Sequence, residues 1–204
     1  MKKLTSFGLG IVSILAVESA NASDIKLFVG GNIALNSASW DEKVDKTFSN
    51  MNLSLPDDFF GLGAEAGVRL KTNGIYNPGV TLAYDYAFDS ASDIKYPANN
   101  IFSSLDVGFS AISATFDNYI RLNKSMENRV DLVVGVGAAS IETNINLLGL
   151  GLSMDCHAAV LKAGLELQLT DVISMTLGTR MYMPVASQYF DTSYALKGGF
   201  KFSF

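Results

Sequence analysis

A period-two alternation of apolar and polar residues recurs in eight segments and constrains the fold of this chain most strongly. In residues 159–169, for example, Leu161 and Leu165 alternate with Lys162 and Glu166. Because successive side chains of a β-strand point to opposite faces, the alternation predicts eight strands, each with one apolar face. The segments are about 10–13 residues long, roughly twice the usual strand of a soluble domain.

Eight amphipathic strands can close into a barrel in two ways. A soluble barrel would bury the apolar face, whereas a membrane barrel would turn it outward. About 12 residues tilted near 40° rise roughly 30 Å, which is the thickness of the hydrocarbon core. Glycine and alanine occupy much of the polar face, as a narrow lumen requires. With its even strand count, the sequence predicts an all-β fold, an eight-stranded antiparallel transmembrane up-and-down β-barrel.

The N-terminal segment, residues 1–22, has the layout of a secretory signal peptide. A positive start (MKK) precedes the uncharged run Leu4–Val17, and Ala20 and Ala22 form an A-x-A cleavage site. The uncharged run of about 14 residues is shorter than the roughly 20 that a spanning helix needs. We therefore expect residues 23–204 to form one outer-membrane barrel domain.

The connections between the predicted strands alternate in length. Three are short and rich in turn-forming residues, namely 72–79, 124–128 and 170–172. Four are longer, namely 37–59, 89–111, 141–156 and 184–193. Short turns on one side and long loops on the other are typical of outer-membrane barrels, with the loops outside the cell. Apolar loop residues at Trp40 and 145–152 indicate either a partner surface or strand extensions that pack together.

Composition excludes several classes of function. Asp and Glu outnumber Lys and Arg by 20 to 15 and no basic stretch occurs, so we expect no nucleic-acid partner. One Cys and one His exclude an internal disulfide and a His-rich metal site, and no cofactor is expected. The run from Gly135 to Ser140 is close to GxGxxG but lacks the helix of a dinucleotide site.

Charged residues on the polar faces are the candidate site residues. The predicted lumen set is Lys26, Glu65, Arg69, Lys71, Asp85, Asp117, Arg121, Asp131, Lys162, Glu166, Arg180, Lys197 and Lys201. They form either a network of ion pairs that closes the lumen or the lining of a selective pore. Eight strands leave no aqueous channel once the interior is filled, so we expect a closed lumen.

The whole region 23–204 resembles the small outer-membrane barrels of the OmpA/OmpX and opacity-protein type. The segments that carry the resemblance are 60–70, 129–140, 161–182 and 194–204. The resemblance implies a bacterial outer-membrane location and lipids as partners. It also implies that Phe200, Phe202 and Phe204 form the signal read by the barrel-assembly machinery. It is specific for architecture and weak for activity.

Two functions fit this pattern. The first is a structural or adhesin-type surface protein that displays four extracellular loops to a host or envelope ligand. The alternative is a narrow porin-like channel. We expect no enzyme activity, because His157 lacks the nearby serine of the lipid A deacylases, and no other nucleophile–base pair is evident. Cys156 is predicted to be an unpaired thiol at a loop end.

Overall fold

Eight antiparallel strands close into one barrel, in which β8 pairs with β1, as the sequence predicts. The computed structural model describes residues 22–50, 57–72, 74–91, 105–123, 129–147, 150–185 and 190–204. The elements are β1 (Ala22–Trp40), α1 (Glu42–Asn50), β2 (Asp58–Thr72), β3 (Tyr76–Ala91), β4 (Leu105–Arg121), β5 (Val130–Leu147), β6 (Leu150–Gln168), β7 (Ile173–Pro184) and β8 (Phe190–Ser203). Among the described residues, no helix has the length and apolarity needed to span a membrane.

The strands are staggered around the barrel. A path of directly paired residues that starts at Phe28 crosses all eight ladders and returns to β1 at Ala38, ten residues further on. Such a stagger is what tilts the strands of a closed barrel relative to its axis. Because of this stagger, residues at different positions along neighbouring strands lie at the same height in the lumen.

Apolar side chains face outward in a continuous surface that we call the belt. Ile33, Leu82 and Leu177, which come from strands distributed around the barrel, are each between 57% and 60% exposed. Their lumen-side neighbours, such as Ala34 and Ala83, are buried. This inverted distribution confirms the predicted faces and requires a lipid environment, because water would not solvate the belt.

The third predicted loop, 141–156, is a β-hairpin instead. β5 continues to Leu147, β6 begins at Leu150, and pairing is continuous from the belt to these residues. The outward residues of this extension are polar, whereas Ile145 faces inward and is 1% exposed. Period-two alternation thus persists, but its polarity is reversed above the belt, and the reversal looks like a loop in the sequence.

A cluster of buried apolar side chains closes the barrel at the end of the long loops, here called the loop end. This mouth core contains Ala38, Trp40, Phe59, Ala87, Val107, Phe109, Ala111, Ala139, Ile141, Ile145, Ala158, Val160 and Tyr182. Val44 of α1 packs against it from above. Trp40 and Ile145 therefore pack inside the barrel mouth. At these two positions the structure supports strand extensions that pack together rather than an exposed partner surface.

Candidate functional site

Ion-paired side chains fill the lumen between the mouth core and the end of the short turns, here called the turn end. This lumen network comprises Glu65, Arg69, Asp85, Asp117, Arg129, Asp131, Lys162, Glu166, Arg180, Lys197 and Lys201. Small residues make room for it. A Cβ at Gly135 would overlap the Asp117 carboxylate, so glycine is needed at this lumen position.

Asp85 is the centre of the part nearest the mouth core. Arg180 Nη1 donates to Asp85 Oδ2 at 2.6 Å, and the Tyr182 hydroxyl donates to the same oxygen at 2.5 Å. Lys197 donates to the other carboxylate oxygen. Tyr182 also belongs to the mouth core, where its ring contacts Phe109 edge to face with a centroid distance of 6.0 Å. The apolar and ionic layers are therefore joined through one side chain.

Glu65 and Asp117 hold the middle of the network. Lys201 Nζ lies 3.0 Å from Glu65 Oε1, and Arg180 Nη2 lies 3.5 Å from Glu65 Oε2. Lys162 Nζ contacts Asp117 at 2.7 Å and lies 3.8 Å from Glu65. These groups come from β2, β4, β6, β7 and β8, so the ion pairs cross the lumen rather than running along one ladder.

Arg69 organises the part nearest the turn end. Its guanidinium donates to Glu166 Oε1 at 2.9 Å and to the Asp131 carboxylate, and it lies over the Tyr119 ring at 4.1 Å. Arg129 donates its Nε–H to Asp131 at 2.8 Å. Two carboxylates and one aromatic ring thus contact a single arginine, and a second arginine shares one of the carboxylates.

The lumen network fills the barrel interior with paired charges. Its five carboxylates and six cations each have an opposite charge within 4 Å, which offsets the high cost of taking ions out of water. The cavity left beside Glu65, Lys162 and Arg180 measures about 50 Å³, room for one or two waters. With the mouth core above it, the lumen has two closing layers.

Most of the predicted lumen residues come together here. The structure joins ten of the thirteen, namely Glu65, Arg69, Asp85, Asp117, Asp131, Lys162, Glu166, Arg180, Lys197 and Lys201. Arg121 lies on the lumen face directly opposite Asp131, yet it makes no ion pair and its Nε has no hydrogen-bond partner within the described residues.

Sequence reasoning missed Arg129 and the two lumen tyrosines. Arg129 precedes β5 and lies outside the alternating segment, so no pattern marks it. Tyr119 and Tyr182 occupy lumen-face positions and are each 1% exposed. Tyr119 lies two residues after Asp117, and Tyr182 lies two residues after Arg180. This spacing could have indicated both tyrosines, since residues two apart in a strand share a face.

Other predicted positions lie outside the lumen network. Phe200, Phe202 and Phe204 face outward at the turn end. Ala20 lies outside the described residues, and Ala22 is the first residue of β1. Across the described ranges, no group of three His, Cys, Asp or Glu side chains could hold a metal.

The loop-end thiol and imidazole are close in sequence but face opposite sides of β6. Cys156 is partly buried against the mouth core, and burial together with the Asp155 carboxylate raises the pKa of its thiol. His157 faces outward, directly opposite Ser140 of β5. The described part of the chain shows no hydrogen bond between the two, so they form no nucleophile–base pair here.

Comparison with known proteins gives a fold but no close relative. No protein-family model matches the sequence, and no curated protein does either. The structure is similar to Neisserial surface protein A, with a TM-score of 0.58 at 13% identity over 87% of this chain and 97% of that chain. It is also similar to Ail, the attachment invasion locus protein of Yersinia pestis, with a TM-score of 0.55 at 14% identity over 88% of this chain and 98% of that one.

A second structure of Ail, in complex with the heparin analogue sucrose octasulfate, matches with a TM-score of 0.58 at 14% identity, over 89% of this chain and 99% of that chain. Both similar proteins are closed barrels whose length this chain covers almost completely. The chain therefore has the fold of the small outer-membrane β-barrels, and its apolar belt fits the membrane in which they lie.

Proposed function

We propose that the protein is a bacterial outer-membrane surface protein of structural or adhesin type, whose loop end lies outside the cell and meets partners. The observation that carries this proposal is the doubly closed lumen. The mouth core and the lumen network pack the described interior of the barrel with side chains, so the parts most available to other molecules are its ends and its belt.

The charge of the loop end indicates the class of partner. The exposed acidic residues described there are Glu42, Asp45, Asp57, Asp58, Asp106, Glu142, Asp155 and Asp191. Among the same described residues, the exposed cations of this rim are Lys43 and Lys46. Ail was crystallised with a polyanion. The rim described here is acidic and would repel a polyanion, which favours a basic partner surface over a sulfated glycan.

Binding of nanodisc-embedded protein to polylysine and heparin surfaces tests this proposal. We expect retention on polylysine that falls as salt shortens the screening length from about 10 Å at 0.1 M to about 3 Å at 1 M. Asp155→Asn and Glu142→Gln should each weaken retention. The matched control is Asp171→Asn, which removes one exposed carboxylate at the turn end. Retention on heparin alone would contradict the proposed partner class.

The alternative function, a narrow porin-like channel, requires ions to pass the mouth core. Single-channel recording in planar bilayers separates the two functions. We expect no steady conductance from the protein. Stepwise openings of uniform size would show instead that the closing layers move, and the channel would then replace the surface function.

Two further expectations belong to this proposal. Lipids contact the belt, and the barrel-assembly machinery reads the outward phenylalanines Phe200, Phe202 and Phe204. The absence of enzyme activity stays a prediction that rests on the missing nucleophile–base pair.

A further inference from the structure

Among the described residues at the turn end of the lumen, cations outnumber carboxylates. A pocket there, which we call the turn-end pocket, is lined by Lys26, Arg69, Lys71 and Arg129 and by the acidic residues Glu166 and Asp171. Arg121 and Asp131, which lie directly opposite each other on the same lumen face, add one charge of each sign. The chain as a whole has a formal net charge of −5, so this positive excess is local. Excess charge that is partly removed from water requires a counter-charge.

The pairing register of β1 and β2 adds a local repulsion to this excess of positive charge. Lys26 of β1 lies directly opposite Arg69 of β2, and like charges in such a cross-strand pair repel each other. Arg69 is already engaged by Asp131 and Glu166. Within the described residues, the one hydrogen bond of Lys26 Nζ goes to a backbone oxygen, that of Asp171 at 3.5 Å, so this contact brings no negative charge to it.

Two donors that line the turn-end pocket are unpartnered within the described residues. The Ser174 hydroxyl has no hydrogen-bond partner although the residue is 4% exposed. Arg129 uses its Nε on Asp131, but its Nη2 has none. A buried donor without a partner costs free energy, and an oxyanion in the pocket would offer acceptor oxygens to these donors. The pocket has about 20 Å³ of space, enough for one oxygen-sized group.

We propose that the turn-end pocket binds an oxyanion, the phosphate or carboxylate group of a molecule on the periplasmic side. Ser174 and Arg129 would donate to it, and Lys26 would supply charge. The mouth core closes the other end of the lumen, so the ligand enters from the turn end. This site goes beyond the proposed surface function and takes from it only the orientation of the barrel. The oxyanion could come from a soluble phosphate or carboxylate or from a phospholipid headgroup.

Titration with inorganic phosphate tests the site. The full barrel is refolded in maltoside micelles, which contain no phosphate, and backbone amide shifts are followed against chloride at equal ionic strength. We expect saturable shifts at Ser174 and Arg129. Ser174→Ala and Arg129→Gln should each weaken binding about fivefold or more, because each removes one hydrogen bond to a charged ligand. Lys46→Gln, which removes an exposed cation of α1, should leave the affinity unchanged.

Ser174→Ala keeps the test decisive if Arg129→Gln disturbs the Asp131 ion pair and fails to fold. A repeat in phospholipid nanodiscs distinguishes the sources. If lipid phosphate fills the pocket, the same amides are already shifted and added phosphate changes little. If the ligand is soluble, phosphate titrates them in both media. No saturable shift in micelles, or equal affinity in the parent and Ser174→Ala, would overturn the site.

Discussion

At the scale of single residues, Arg180 links two parts of the lumen network. One Nη contacts Asp85 at 2.6 Å and the other contacts Glu65 at 3.5 Å, while the side chain is 2% exposed. Among the described residues, no other side chain contacts both of these carboxylates by hydrogen bond or ion pair. Its position makes Arg180 the residue on which the ionic layer most depends.

Replacing Arg180 by leucine should lower the free energy of unfolding by about 3 kcal/mol, because it leaves two buried carboxylates with too little positive charge. Urea unfolding of the lipid-embedded barrel measures the loss. Lys46→Leu, on the exposed face of α1, is the control and should change stability little. Adding Asp85→Asn to Arg180→Leu should restore part of the loss. Equal stability of Arg180→Leu and the control would show that the ion pairs contribute nothing.

The belt predicts a difference between two arginine substitutions in β6. Leu165 faces lipid, so Leu165→Arg should cost roughly 2–4 kcal/mol. Gln168 lines the turn-end pocket, where a new charge reaches water, so Gln168→Arg should cost much less. Refolding yield and urea midpoints in lipid vesicles compare the two. Equal losses would contradict the placing of Leu165 against lipid and Gln168 in the lumen.

Sequence alone could predict which face each lumen residue occupies but not its partners. Alternation gives the face, whereas the height of a residue in the lumen depends on the stagger between strands. Arg69 and Asp131, for example, are 62 positions apart and meet only because the strands are tilted. Arg121 and Arg129 lie on either side of the connection 124–128, and the sequence does not distinguish their partners. Of these two arginines, only Arg129 pairs with Asp131.

At the scale of elements, β8 closes the barrel against β1. The backbone N–H of Phe204 donates to the Leu27 oxygen, and the N–H of Leu27 donates back, both at 3.0 Å. The Phe204 ring faces outward and is 69% exposed. Phe204 therefore contributes a pair of closing hydrogen bonds in addition to an aromatic side chain at the edge of the belt.

Deleting Phe204 should lower outer-membrane yield in a Gram-negative host sharply while detergent refolding stays largely intact. The two closing hydrogen bonds contribute only about 1 kcal/mol each, which a finished barrel tolerates. Phe204→Leu keeps both bonds and removes the aromatic ring, so it separates backbone closure from recognition. A parallel fall in yield and in refolding would show that Phe204 matters for stability alone.

The extension of the β5–β6 hairpin above the belt could not be predicted from the sequence. Ile141 and Ile145 of its extension face the mouth core instead of lipid, so their pattern no longer fits a membrane strand. A strand above the belt experiences water outside and packed side chains inside, as in a soluble sheet. The same alternation thus has two meanings, and only the position of the membrane boundary decides between them.

At the scale of the whole molecule, the ladders form a closed ring in which no strand lacks two neighbours. We expect the folded protein to migrate on an unheated gel as a compact band that shifts after boiling, with a β-type circular dichroism spectrum. A closed ring has no edge from which strands can separate one at a time, so unfolding should be a single transition. A helical spectrum of the inserted protein would contradict the fold.

We expect the pairing of β1 with β8 to come last among the ladders during folding, because it joins the two ends of the barrel sequence. The other ladders join strands that are neighbours in sequence, but this ladder brings Leu27 to Phe204 and must wait for both. Before it forms, the molecule is an open, curved sheet whose two free edges expose unsatisfied peptide groups that lipid cannot hydrogen-bond. That intermediate is open to pairing with any other strand in the membrane, so the closing step decides between a monomer and a mispaired aggregate.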